Sequence, residues 1–84
     1  MIQIKFNIEE KQAIAYDENI KIGECEYIET EGCWNIIHTG VNKSYQGQGI
    51  ARKLVECVIE NAEKNNKNVI ADCSYAKKVI ENNK

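Results

Sequence analysis

The chain is 84 residues long, 29% of them charged, and its formal net charge is −2. This length leaves room for one domain with a modest core. The slightly negative charge argues against nonspecific nucleic-acid binding, which needs a basic surface. No apolar run approaches the roughly 18 residues of a membrane span, and the N-terminus lacks a signal-peptide pattern. We therefore expect a single cytoplasmic domain over residues 1–84, with neither a nucleic acid nor a membrane as partner.

The first half of the chain predicts four strands. Residues 2–8 (β1) alternate apolar and polar side chains, as a half-buried strand does. A weaker strand (β2) is expected at residues 12–16, and a third (β3) at residues 20–30, where a disturbed alternation at residues 23–25 suggests a bulge. Residues 33–41 (β4) carry apolar side chains on both faces, which predicts a central strand covered twice. The short connections favour an antiparallel meander.

The pattern changes after β4. Residues 48–65 place apolar side chains along one stripe, which predicts an amphipathic helix (α1). Residues 69–71 (β5) are wholly apolar, as is typical of a strand buried in a sheet, and Ser74 can cap a final helix (α2). A strand, a helix and a strand in this order form a right-handed crossover, so β4 and β5 are predicted to be parallel. The expected fold class is α+β, with the order β1-β2-β3-β4-α1-β5-α2.

A glycine-containing turn leads from β4 into α1. Gly47 and Gly49 permit backbone conformations closed to other residues and a close approach of a ligand. The unpaired N–H groups of the first helical turn point toward that ligand, with the positive end of the helix dipole behind them. The turn therefore suits a phosphate-bearing ligand, although such turns also occur for packing alone.

Two other phosphate-binding loops do not fit these glycines. A Walker A loop ends in Gly-Lys-Ser/Thr, whereas Gly49 is followed by Ile50 and Ala51. A Rossmann fingerprint needs a third glycine at the position of Arg52. Both alternatives lack residues on which their chemistry depends.

Three motifs resemble one known family. Residues 46–51, Gln-Gly-Gln-Gly-Ile-Ala, are similar to the Gln/Arg-x-x-Gly-x-Gly/Ala loop of the GNAT N-acetyltransferase superfamily. Residues 37–41, Ile-His-Thr-Gly-Val, resemble the strand before that loop. Residues 72–75, Asp-Cys-Ser-Tyr, resemble a Cys-x-Tyr signature of a small single-domain branch of the superfamily. The motifs occur in the family's order and extend over nearly the whole chain.

The resemblance implies that the chain binds acetyl-coenzyme A, or coenzyme A, as a co-substrate and holds its pyrophosphate on backbone amides. The residues expected at this site are Val41, Gln46, Gly47, Gln48, Gly49, Ile50, Ala51 and Arg52. The four cysteines are widely spaced and form no Cys-x-x-Cys pair, so no metal is expected. The acceptor is expected to be a primary amine (a small amine, an exposed lysine or an N-terminus), and the protein a monomer or weak homodimer.

Two side chains are candidates for the chemistry. Cys73 lies where β5 ends and α2 begins, and a helix N-terminus makes a thiol more reactive by stabilising its thiolate. In the branch that the chain resembles, the matching cysteine lies near the acetyl group, as a nucleophile or as the acid for the departing thiolate. His38 is the expected general base, and strand alternation places it on the face of Trp34 and Ile36. Structural roles in packing or hydrogen bonding stay open for both residues.

The chain is shorter than the larger enzymes of this superfamily. Those enzymes carry extra N-terminal helices and further C-terminal strands, which form much of the acceptor site. The sequence therefore supports the acetyl-donor site better than the acceptor site. The leading hypothesis is an N-acetyltransferase, and the alternative is a noncatalytic module that binds coenzyme A or docks on a protein.

Overall fold

A computed structural model describes residues 1–82 of the chain. Its elements are β1 (Ile2–Asn7), β2 (Gln12–Asp17), β3 (Ile20–Thr30), β4 (Cys33–Val41), α1 (Ile50–Lys64), β5 (Asn68–Ala71) and α2 (Ser74–Asn82), with a 3-10 turn at Lys43–Tyr45. The predicted α+β class and the predicted order of elements are confirmed. The helix α1 begins two residues later than the periodicity suggested, because Gly49 takes a left-handed conformation at its N-cap.

The five strands lie side by side in the order of the chain. Strands β1 to β4 form the predicted antiparallel meander, and β4 and β5 are parallel as predicted. Parallel neighbours need a crossover connection, which α1 supplies. This connection places the N-terminus of α1 at the edge of the sheet where β4 ends.

The core lies between one face of the sheet and the two helices. The helix α1 contacts all five strands and α2, and it buries Leu54, Val55 and Val58 on the stripe that its periodicity predicts. Near the start of β4, the rings of Tyr27 and Trp34 stack with their centroids 4.2 Å apart. The aromatic pair and the apolar stripe of α1 belong to one buried cluster, which joins the helix to the sheet.

The opposite face of the sheet carries no helix within the described residues. Ile28 and Ile37 are 44% and 43% exposed there. The prediction that β4 is covered on both faces is therefore wrong, because both helices pack on the same side. We call this surface, which also carries Glu24, Glu26 and His38, the open face.

The strand β5 lies at the edge of the sheet and pairs only with β4 among residues 1–82. Ile70 is 47% exposed. The prediction that residues 69–71 are buried within the sheet is therefore wrong. A short apolar run has the same composition whether one or two strands flank it, so the sequence pattern does not distinguish the two cases.

Two bulges interrupt the antiparallel ladders. The pairing of β2 with β3 shifts so that Ile22 is the extra residue, next to the predicted bulge at residues 23–25. The pairing of β3 with β4 shifts between Glu26 and Tyr27, which leaves Ile37 as the extra residue in β4. A bulge changes which side chains share a face beyond it. The second bulge therefore decides the orientation of every residue in the last third of β4.

We expect Leu54→Ala to lower the free energy of unfolding by about 2–5 kcal/mol, because it leaves a cavity at a fully buried position. Urea denaturation followed by circular dichroism measures this loss. The neighbouring Lys53 is exposed, and Lys53→Ala should change the stability by less than about 0.5 kcal/mol. Equal losses in the two variants would contradict the packing of α1 described above.

Candidate coenzyme site and acyl-transfer centre

A cleft opens where β4 and β5 stop pairing. Their parallel ladder ends at Ile36 and Ala71. The Ile36 carbonyl then accepts the N–H groups of Asp72 and Cys73, at 3.0 and 3.1 Å, which turns the chain away from β4. From Ile37 onward, no strand of residues 1–82 lies beside the edge of β4 that faced β5. The resulting cavity has a volume of about 640 Å³.

Six of the eight residues predicted for the coenzyme site line this cleft. They are Val41, Gln46, Gly47, Gly49, Ile50 and Ala51. Gln48 and Arg52 are exposed and do not line it. The guanidinium Nε of Arg52 lies 3.4 Å from a carboxylate oxygen of Glu56, one turn further along α1. Thr39, Gly40, Tyr45 and Tyr75 complete the lining.

The glycine loop has the backbone geometry that only glycine adopts without strain. Gly47 and Gly49 have φ angles of +85° and +77°. A Cβ atom built on either residue meets no other atom within 4 Å, so the space beside the loop is open. No side chain caps the N-terminus of α1, and its first N–H groups are therefore free to bind an anion.

Tyr45 anchors the glycine loop to the sheet. It lies in the 3-10 turn before the loop and donates a hydrogen bond of 2.5 Å to the carboxylate of Asp17, at the end of β2. This bond lowers the pKa of Asp17 and raises the pKa of Tyr45. On the other side, the amide of Gln46 donates to the Val41 carbonyl at 3.4 Å. The sequence carried no signal of the contact with Asp17, because the two residues are 28 positions apart.

Cys73 lies immediately before α2, and its carbonyl accepts the N–H of Lys77 at 3.0 Å. Its half-buried Sγ is 3.7 Å from the hydroxyl of Thr39, which in turn is 3.5 Å from the Sγ of Cys25. Cys73 itself does not line the cleft, but Thr39 does. Burial raises the pKa of the Cys25 thiol to about 12, so this deeper thiol stays protonated at neutral pH. Thr39 therefore connects Cys73 to the cleft.

His38 points to the open face. The bulge at Ile37 reverses the alternation of β4, so the prediction that His38 shares a face with Trp34 and Ile36 is wrong. Its Nε2 lies 3.1 Å from a carboxylate oxygen of Glu24, and its side chain is 53% exposed. His38 and Thr39 thus point to opposite faces of the same strand.

Gly40 makes room for the contact between His38 and Glu24. A Cβ atom at Gly40 would lie 2.7 Å from the Glu24 carboxylate and 3.0 Å from the His38 ring. Real Cβ atoms do not approach other atoms as closely as 2.7 Å, so with a larger residue at position 40 the Glu24 side chain would have to shift. The sequence alone shows no reason for a glycine at position 40, because the contact between His38 and Glu24 depends on the register of β3 against β4.

No cluster of three or more His, Cys, Asp or Glu side chains among residues 1–82 is placed to hold a metal ion. No helix in this part of the chain is long and apolar enough to span a bilayer. The residues with polar side chains that line the cleft are Thr39, Tyr45, Gln46 and Tyr75, and the Tyr45 hydroxyl already donates to Asp17.

Comparison with known proteins places these features in a family. Residues 6–84 match the family model of GCN5-related N-acetyltransferases. A GCN5-like protein from Staphylococcus aureus, solved by NMR, is 37% identical with a TM-score of 0.73, and the match covers 96% of this chain and 79% of that one. No curated protein matches the chain significantly.

Two larger solved structures share the fold. The NatC complex bound to Gag peptide and CoA gives 27% identity and a TM-score of 0.65, over 84% of this chain and 54% of the matched chain. A diaminobutyrate acetyltransferase from Paenibacillus lautus, solved with its substrate and coenzyme A, gives 15% identity and a TM-score of 0.65. That match covers 88% of this chain and 47% of the larger one. The chain thus spans about half the length of these two neighbours.

The family match covers nearly all of the chain, and the fold and the glycine loop agree with it. The resemblance noted in the sequence is confirmed at the level of the family. The chain belongs to the GCN5-related N-acetyltransferase family, a family of acyltransferases.

Proposed function

We propose that the protein transfers the acetyl group of acetyl-coenzyme A to a primary amine. The proposal rests on three features that lie around one cleft: an uncapped helix N-terminus, two glycines with positive φ, and a stretch of β4 that pairs with β3 but not with β5. The first two suit a pyrophosphate. The third offers backbone groups to the amide-containing arm of the coenzyme.

In the proposed complex, the pyrophosphate binds the N–H groups at the start of α1, around Ile50 and Ala51. Gly47 and Gly49 leave the space that it needs, since no atom lies where their side chains would be. The pantetheine arm then follows the free edge of β4 from Val41 toward Ile37. This path brings the thioester to the point where β4 and β5 separate, beside Thr39 and Cys73.

The proposed reaction is attack of the amine nitrogen on the thioester carbonyl, which forms a tetrahedral intermediate and then expels the coenzyme A thiolate. The nitrogen loses a proton to a base, and the thiolate gains one from an acid. We propose Cys73 as the group beside the thioester, positioned by the hydroxyl of Thr39 at 3.7 Å. It serves either as the acid for the thiolate or as a nucleophile that carries the acetyl group as a thioester before the amine attacks.

We propose that the amine enters from the open face. His38 lies there as the proposed base, and the carboxylate of Glu24 at 3.1 Å orients its ring. Glu26, which pairs with His38 in the ladder between β3 and β4, adds a second carboxylate to this surface. Two carboxylates favour a cationic acceptor, such as a small amine, an exposed lysine or an N-terminus.

The alternative function is a noncatalytic module that binds coenzyme A or docks on a protein. The observation that favours it is the placement of His38 and Thr39 on opposite faces of β4, which leaves the proposed base and the proposed acid apart. A module that binds coenzyme A predicts the same affinity as the enzyme and differs only in acetyl transfer, whereas a module that docks on a protein predicts neither coenzyme A binding nor acetyl transfer.

We also propose that residues 1–84 act as a single cytoplasmic domain without nucleic-acid or membrane partners. All four cysteines are free thiols in the structure, as is usual in a reducing compartment. The net charge of −2 does not favour a polyanion.

Gly49→Ala should raise the Kd for coenzyme A about tenfold or more, because its Cβ displaces a charged phosphate from its hydrogen bonds. Isothermal titration measures the affinity. Gly32→Ala is a matched control, since Gly32 also has a positive φ and an open environment but lies in the hairpin between β3 and β4. Both variants should lose about 1–2 kcal/mol of stability. Equal affinities for coenzyme A in the two variants would contradict the proposed phosphate site.

Cys73→Ala should lower kcat about 100-fold or more, because it removes the proposed acid or nucleophile. The affinity for coenzyme A should stay unchanged, because the substitution removes no contact with the phosphates. Cys33→Ala serves as the control, since Cys33 is a half-buried free cysteine at the opposite end of β4. Mass spectrometry after incubation with acetyl-coenzyme A distinguishes the two roles, since only the nucleophile forms acetyl-Cys73. Absence of transfer by the unmodified protein to any amine would instead support the binding module.

Tyr45→Phe should raise the pKa of Asp17 toward its ordinary value of 3.8, because the hydrogen bond that lowers it is lost. A lowered folded pKa stabilises the protein above the unfolded pKa, and this contribution disappears as the pH falls through the folded pKa. The free energy of unfolding of the unmodified protein should therefore exceed that of the variant at neutral pH. This difference should decrease as the pH falls through the folded-state pKa of Asp17. Carboxyl NMR titration measures the pKa directly, and Tyr16→Phe, next to Asp17 in β2, should leave it unchanged. An unaltered pKa in Tyr45→Phe would refute the anchor.

A further inference from the structure

The outer edge of β5 presents an unused set of backbone hydrogen-bonding groups. The N–H groups of Asn68 and Asp72 donate toward β4, to the carbonyls of Gly32 and Ile36 at 3.3 and 3.0 Å. Backbone groups alternate sides along a strand, so the N–H and C=O groups of Val69 and Ala71 point away from β4. No strand lies beyond them within residues 1–82. An edge of this kind is a template for pairing with another strand.

A groove of about 260 Å³ runs between this edge and α2. Its floor is apolar, with Ile80 opposite β5, and Lys77 and Glu81 line it from the helix. These two charged residues are one turn apart on the same side of α2. Neither makes an ion pair with another residue in the described part of the chain. The groove thus has an apolar floor and opposite charges toward its two ends.

We propose that the β5 edge binds the β5 edge of a second copy of this chain, antiparallel to it and related by a two-fold axis at Ile70. The two sheets then form one continuous sheet of ten strands. This inference depends only on the edge and the groove and is independent of the acetyl-transfer proposal.

The backbone geometry selects this register. With the axis at Ile70, Val69 lies opposite the partner's Ala71, and both residues direct their N–H and C=O groups outward. The two residues exchange two hydrogen bonds, and symmetry doubles the number to four. Ile70 lies opposite the partner's Ile70 in a non-hydrogen-bonded pair, where side chains approach most closely. The contact therefore covers the side chain that is 47% exposed in the single chain. A shift of the register by one residue would place outward N–H and C=O groups of one copy opposite inward groups of the other, and the four hydrogen bonds would not form.

The charges of α2 favour a second copy over an unrelated strand. The helix α2 begins three residues after β5 ends and packs on β5, so it must run back along the strand. Lys77 then lies toward the Ala71 end of β5 and Glu81 toward the Asn68 end. An antiparallel two-fold arrangement brings the Ala71 end of one copy beside the Asn68 end of the other. Lys77 therefore faces the partner's Glu81, and the same pair forms again across the axis. The surface is therefore self-complementary in the sign of its charges as well as in its hydrogen-bonding groups.

Charge exchange at these two positions tests the arrangement. Sedimentation equilibrium up to about 1 mM protein measures the dimer, which should be weak because the paired strands are only four residues long. Lys77→Glu and Glu81→Lys should each raise the dimer Kd about tenfold, because each replaces two attractions by two repulsions. The double variant K77E/E81K restores opposite charges and should return the Kd to that of the unmodified protein.

Val69→Pro tests the backbone pairing independently. It removes an outward N–H that β4 does not use, and proline is tolerated at such edge positions. Circular dichroism verifies that the variant is folded, and its dimer should be lost. A protein that stays monomeric at the highest concentration overturns the proposal. So does a dimer that neither Val69→Pro nor the single charge reversals weaken, since it must form through another surface.

Discussion

The site depends on a single backbone carbonyl. The oxygen of Ile36 accepts the N–H groups of both Asp72 and Cys73, and this double hydrogen bond ends the pairing of β4 with β5. The side chain of the buried Asn35 reinforces the same turn, because its amide donates to the Asp72 carboxylate and its oxygen accepts the Asp72 N–H, each at 3.0 Å. These hydrogen bonds keep β5 paired with β4 up to Ile36 and Ala71, and the two segments of chain diverge immediately afterwards.

Two consequences follow from this end of the pairing, and a third feature follows from the connectivity of the chain. The edge of β4 beyond Ile36 is left free, which creates the cleft. The chain turns into α2 at Cys73, which places the thiol beside Thr39, a residue that lines the cleft. The crossover through α1 must begin at the same end of β4, since parallel strands are joined from the end of one to the start of the next. The N-terminus of α1 and the thiol therefore lie on the same side of the molecule without any dedicated contact between them.

Local features of the sequence predicted much of this arrangement. The stripe of α1, the alternation of β1 and the glycines at positions 47 and 49 each depend on spacing or backbone freedom, which a sequence displays directly. The crossover rule then fixed the parallel pairing of β4 and β5. The family loop predicted six residues that line the cleft.

The wrong predictions and the contact that the sequence did not reveal share one physical origin. Each depends on a neighbour in space that is distant in sequence. The orientation of His38 depends on a bulge at Ile37 that exists only when β3 and β4 are paired. The exposure of Ile70 depends on whether a strand lies beyond β5. The anchor of Tyr45 on Asp17 joins residues in different elements. Local composition does not indicate any of these three features, so only the three-dimensional structure shows them.

The central claim is that the free N-terminus of α1 and the glycine loop bind the phosphates of coenzyme A. The most direct measurement is a titration of ¹⁵N-labelled protein with coenzyme A, followed by amide chemical shifts. We expect the largest shifts at residues 47–51, smaller shifts along the free edge of β4, and none at the hairpin around Gly32. Saturable binding that moves the open face or the hairpin while the amides of residues 47–51 stay in place would contradict it.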